Sequence, residues 1–233
     1  MKDISTQLPH EITAALTESP IAWIPLGAIE FHGWHAPVGL DALTATGLSK
    51  LAAEKLGGIV FPPLHYGAYA SIAGNPLTIL LDQEDNDILV RLLEKTLERL
   101  ESFGVKKAVI LSGHFATCQY EALDELKKRW ESQWRAMELV TLMLPDCPDL
   151  PIGPDHGGLF ETALLQSVNP DAIDMSRLSD ESVTEKNLAG AQRRDPAHPL
   201  YGILGTDPRG VTAEQGMQLR EHLLEWISES VSE

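Results

Sequence analysis

The chain has 233 residues, and its 18 basic side chains against 34 acidic ones leave a net charge of −16, a balance that repels nucleic-acid backbones and anionic membrane surfaces. Two cysteines, Cys118 and Cys147, are too few for a disulfide framework. No stretch approaches the roughly twenty apolar residues of a membrane helix, and no basic and then apolar leader opens the sequence. The expectation is a cytoplasmic chain folded as one domain over 1–233, with neither nucleic acid nor membrane among its partners.

Residues 10–19, HEITAALTES, have helical spacing, and 21–27, IAWIPLG, form an apolar run closed by Pro25 and Gly27. Asp41 opens a second helical stretch, with Leu43, Leu48, Leu51 and Leu56 apolar and Gly57 and Gly58 as its stop. After the apolar run GIVFPPL, the positions Leu89, Leu92, Leu93, Thr96, Leu97 and Leu100 follow the i, i+3, i+4, i+7 series of an amphipathic helix. Its acidic start, Glu84, Asp85 and Asp87, suits the positive end of the helix dipole. KKAVILSG then reads as a strand, YEALDELKKRW as a helix and MELVTLML as a fourth apolar run. Beyond the proline-rich stretch 145–154, a helix begins within DHGGLFETALL, residues 180–202 read as polar loop, and AEQGMQLREHLLEWISESV closes as an amphipathic helix. This alternation predicts an α/β fold in which right-handed crossovers join parallel strands and helices cover the sheet.

The polar residues fall in a pattern. Glu30, His32, His35 and Asp41 follow the first apolar run, His65 and Tyr66 the second, Ser112 and His114 the third, and Asp146 to His156 the fourth. In an open parallel sheet these strand ends share one edge, where ligands bind. In extended backbone Glu30 and His32 share a face while Phe31 turns away. Asp41 fits either a ligand or a helix N-cap, and His35 reads as a supporting or surface histidine. His114 stands before a helix, where backbone N–H groups around Gly113 and His114 are placed to hold an oxyanion. Cys118, four residues after His114, lacks the second thiolate a zinc–sulfur site needs. Glu161 is an acid among apolar neighbours, with His156 in the loop before it.

Carboxylates and imidazoles without thiolates suit zinc, manganese or iron(II) better than calcium or magnesium. Three acids and two histidines exceed the needs of one four-coordinate ion, whereas two ions about 3.5 to 4 Å apart, bridged by a carboxylate, would use them all.

The segment IPLGAIEFHGWHAPVGLD resembles the signature of the creatininase family, a strand followed by Gly-x-x-Glu-x-His-Gly-x-His-x-Pro and a later Asp. SGHFATC is similar to the family's Asn-Gly-His segment, HGGLFET to its His-Ala-Gly-x-x-Glu-Thr segment and GTDPRGVTAEQG to its closing motif, in family order from Ile24 to Gly216. The resemblance implies a three-layer sandwich with a mainly parallel central sheet, and a dinuclear amidohydrolase that cleaves a cyclic amide or formamide C–N bond with a hydroxide bridging two divalent transition-metal ions, zinc foremost and manganese or iron as alternatives. It implies that Glu30 and His114 hold one metal, His32 the other, and Asp41 both. His156 is then the catalytic proton carrier, Tyr66 and Phe115 border a small-molecule amide substrate, and the chain assembles as a homo-oligomer, a hexamer by resemblance.

Departures stand beside it. Ser112 replaces the family's Asn, the substrate loop lacks its Glu-His pair, and Ala116 occupies the place of a further metal-binding acid, which argues against creatinine as substrate. Glu161 is the candidate to fill the coordination position left open. Three other readings remain: a catalytically degenerate metal-binding or small-molecule-binding member of the same fold, a mononuclear lyase or isomerase, and a structural domain with a polar sheet edge.

Overall fold

Apolar residues on both faces make the four runs into strands of one buried parallel sheet. In the computed structural model, which describes residues 3–72, 74–184 and 191–232, they are β1 (Ile21–Leu26), β2 (Ile59–Val60), β3 (Lys107–Ser112) and β4 (Glu138–Met143). All pairings are parallel, and the order is β2-β1-β3-β4. The second run yields two strand residues because Pro62 and Pro63 have no N–H to continue the ladder. Its backbone returns at Leu64, which donates to the Pro25 carbonyl and accepts from Gly27.

Helices α1 (Pro9–Glu18), α2 (Leu40–Leu56), α3 (Asn86–Ser102), α4 (Thr117–Ser132), α5 (Leu159–Val168) and α6 (Ala213–Ser232) form the two outer layers. Alternation along β1 sends Ala22, Ile24 and Leu26 to the face covered by α1, α3 and α4, and Trp23 to the face covered by α2, α5 and α6. On α3 the buried stripe is Leu89, Leu93, Leu97 and Leu100, each worth about 1.5 to 3 kcal/mol of apolar transfer. Leu92, which helical spacing includes in that stripe, is 44% exposed.

In the stretch 180–202 the structure adds a 3-10 turn, Ala191–Arg194, while residues 185–190 of the expected loop lie outside the described residues. No described helix is long and apolar enough to cross a membrane. Since β2 and β3 lie on opposite sides of β1, the connections leaving β1 and β3 diverge, and a cleft opens at the carboxyl ends of those two strands.

Candidate metal centre

Two glycines bring α2 into this cleft. A Cβ on Gly27 would lie 2.2 Å from the Ala42 nitrogen, and one on Gly113 would lie 2.2 Å from the Asp41 carbonyl. The first turn of α2 therefore rests on the ends of β1 and β3, with Asp41 in the gap. The cap position belongs to Gly39, so Asp41 is no N-cap but a helical residue whose carboxylate is wholly buried.

Both Asp41 oxygens face imidazoles. Oδ1 is 2.9 Å from His32 Nε2, and Oδ2 is 3.3 Å from His114 Nδ1. Glu30 Oε2 lies 3.0 Å from His114 Nδ1, and Glu161 Oε2 lies 3.5 Å from His32 Nε2. Three compact sets result, Glu30–Asp41–His114, His32–Asp41–Glu161 and Glu30–His32–His156, each with its donor atoms within 4.8 Å of one another. Asp41 belongs to the first two, the fully buried ones.

The rings are held by their far nitrogens. His32 Nδ1 donates to the Glu30 carbonyl at 2.8 Å and His114 Nε2 to the Ala68 carbonyl at 2.9 Å. Because a carbonyl only accepts, the near nitrogens carry the lone pairs of the neutral rings. Lone pairs then face carboxylate oxygens in a dry site, an arrangement satisfied by added protons or by cations. Burial pulls His32 down, but the carboxylates of Asp41, Glu161 and Glu30 lift it to about 10. His114 is likewise drawn down by burial and driven well above the usual range by Glu30 and Asp41. Burial raises Asp41, yet His32 and His114 hold it far below the carboxylate range. Glu161 moves the other way: burial pushes it well up, aided by Asp41 and Asp155 and opposed by His32. Among the described residues Glu30 Oε1 and both Asp41 oxygens have no backbone or hydroxyl donor. Three carboxylates, two oriented imidazoles and unsatisfied buried oxygens form a donor set that fits divalent transition metals.

A cavity of about 540 Å³ opens over this centre, reaching Glu30, His114, His156 and Glu161. His156 sits with its ring 4.3 Å from that of His32 and donates from Nε2 to the Phe31 carbonyl at 2.9 Å, leaving Nδ1 as the acceptor. Burial and the His32 charge lower it to about 4, against the pull of Glu30 and Asp41, so the ring is neutral near pH 7. Phe31, as the alternation predicts, turns away to pack on Trp34 and Tyr201.

Several expectations are met differently. Phe115 lines the cavity, edge-on to Phe160, whereas Tyr66 lies outside it and is 58% exposed. Tyr69, three residues on, lines the wall instead. The Gly113 N–H donates to the Leu26 carbonyl and is not available to an oxyanion. Ser112 Oγ donates to the His114 carbonyl and so shapes the loop. His35 supports α5 through a 2.9 Å bond to Thr162 Oγ1. Cys118 borders the cavity but joins none of the donor sets. Gln83, Glu121 and Leu204 also line the cleft. Sequence reasoning passes over them because they lie in a 3-10 turn, a helix turn and a late coil, with no strand end to mark them.

Residues 7–231 match the creatininase family, described as creatinine amidohydrolase. The chain is 26% identical over 235 residues to creatinine amidohydrolase of Pseudomonas putida, covering 91% of this chain and 89% of that one. It is 27% identical over 213 residues to a mycofactocin precursor peptide peptidase of Mycolicibacterium smegmatis, covering 86% and 79%. A crystal structure of creatinine amidohydrolase superposes with a TM-score of 0.77 at 24% identity, over 98% of this chain and 96% of that one. Solved creatininase chains of the same fold include a manganese and a zinc–zinc form.

Proposed function

This chain belongs to the creatininase family, and from that premise we propose that it is a dinuclear metal-dependent hydrolase of a non-peptide C–N bond in a small cyclic amide or formamide. One observation carries the reading: Asp41 presents one oxygen to each of two separate donor sets. Glu30, His114 and Asp41 would hold one ion, and His32, Asp41 and Glu161 the other. Glu161 thereby supplies the acid absent at Ala116. The manganese and zinc–zinc forms of solved relatives favour zinc or manganese at such a site.

When bound, two such ions lower the pKa of a shared water so that hydroxide is available near neutral pH, and polarise the substrate carbonyl. The chain's own residues do the rest. His156, neutral with Nε2 committed to Phe31, offers Nδ1 to take the proton of the attacking water and return it to the leaving nitrogen. Phe115 provides an apolar wall for the planar amide and Tyr69 a polar one. The Glu161 carboxylate is steadied by the Gly157 N–H at 2.6 Å.

Ala116 favours a second reading, a metal-binding protein that holds a small molecule without turning it over. The test is to load the protein with zinc or manganese and assay formamides and five- and six-membered cyclic amides, with His156→Gln in parallel. Hydrolysis that collapses in the variant supports the proposal. Binding without hydrolysis across both metals moves the assignment to the silent member.

A further inference from the structure

Outside the metal centre, one more charged side chain is buried among the described residues. Arg193, in the 3-10 turn Ala191–Arg194, is 1% exposed. A guanidinium taken out of water needs its donors placed on acceptors. Its Nη1 donates to the Ile203 carbonyl at 3.1 Å and to the Gly205 carbonyl at 2.9 Å. Its own carbonyl accepts from the Gly202 N–H at 2.8 Å. The segment 202–205 is thus gripped on both sides of Leu204.

Leu204 is the residue that pairs with His156. The His156 N–H donates to the Leu204 carbonyl at 2.9 Å and the Leu204 N–H to the His156 carbonyl at 2.7 Å, an antiparallel bridge. Two residues on, the Thr206 carbonyl accepts the Leu159 N–H at the start of α5. The space is tight: a Cβ on Gly205 would fall 2.2 Å from Asp155 Cβ, and one on Gly202 would fall 2.5 Å from the Phe31 ring. Phe31 is the residue whose carbonyl receives His156 Nε2. Arg194, by contrast, donates to the carbonyl of Ser71, a residue that lines the cavity, at 3.0 Å.

We propose that Arg193 is the positioning residue for His156: by holding the carbonyls of Ile203 and Gly205 it fixes the backbone rung that aims the imidazole into the cleft. The catalytic meaning of that aim rests on the hydrolase reading above; the positioning itself does not. Nothing in the motifs around the metal centre marks Arg193, which lies outside all of them.

The experiment is ring-nitrogen NMR of the zinc-loaded protein near pH 7, with the His156 signal assigned by its loss in His156→Gln, compared across wild type, Arg193→Gln and Arg193→Lys. Wild type is expected to show a single neutral tautomer protonated at Nε2. Arg193→Gln should lose that single pattern while His114, anchored on Ala68, keeps its own and the zinc content is unchanged. Lysine keeps the charge and can bond two carbonyls from one nitrogen, but lacks the reach and the rigid plane of the guanidinium, so Arg193→Lys should show the same change more weakly; it carries the test if the glutamine variant does not fold. On an amide that wild type hydrolyses, kcat should fall about tenfold to a hundredfold, with KM within about twofold. An unchanged His156 signal in a folded variant, even with lowered thermal stability, would reduce Arg193 to a structural role and overturn the proposal. The spectrum is read without substrate, so an inactive wild type would sink the hydrolase reading and leave this result standing.

Discussion

The inner and outer walls of the cleft are built by different means. On the inner wall, Glu30, His32, Asp41 and His114 are carried by the ends of β1 and β3 and the first turn of α2, packed so closely that only glycine fits at positions 27 and 113. On the outer wall, His156 and Glu161 hang on a loop and the start of α5, held by one backbone bridge to Leu204, the Asp155 carboxylate and a buried arginine. The strand ends and α2 place four of the proposed metal donors rigidly; Glu161, the proposed proton carrier and the substrate wall are placed by a loop and the start of α5.

If that division holds, damage to the inner wall should be the more severe. Replacing His32 with Ala removes a donor from a fully buried set and should cost about 4 kcal/mol of transition-state stabilisation, about a thousandfold in kcat/KM, together with one ion. Chelation should lower stability as well, because it leaves the buried carboxylates balanced only by protons on His32 and His114. Restoring zinc to about a thousand times its Kd should return about 4 kcal/mol, read as a rise in Tm. On the outer wall, His156→Gln should lower kcat by about a hundredfold, the low end for general acid–base catalysis, with both ions retained, as measured by turnover beside elemental analysis. A loss of metal in that variant would blur the two walls into one.

The inner wall was the part readable from sequence. Glu30, His32 and His114 closely follow short apolar runs, Asp41 opens the helix after the first of them, and parallel strand ends converge, so position along the chain carried spatial information. The outer wall was readable only in part. His156 and Glu161 show in the motif around 155–162, but Arg193 lies among polar residues with no periodicity. Its burial depends on carbonyls ten and twelve residues away. Tyr66 and Tyr69 were separable only once the backbone of 64–68 was seen to leave the sheet at the two prolines. The short β2 has the same cause.

Smaller effects refine the picture. Thr162→Val leaves the buried His35 Nε2 without its partner and should cost about 1 to 3 kcal/mol of stability with metal content unchanged. Denaturant unfolding beside elemental analysis would show it. Away from both walls, burial together with Asp149 and Glu229 raises the Cys147 thiol to about 11. The thiolate is the reactive form, so alkylation of Cys147 in the folded protein should stay slow near neutral pH and rise only as pH approaches 11. Mass spectrometry after iodoacetamide treatment at stepped pH reads this directly.

The central claim is that Asp41 serves two ions at once, and metal content per chain, measured by elemental analysis on wild type and on Asp41→Ala after equal zinc loading, tests it most directly. About two ions per chain in wild type, with both lost in the variant, is the predicted result for a bridging carboxylate. A wild type that holds no metal, or one ion that survives the substitution, would contradict it.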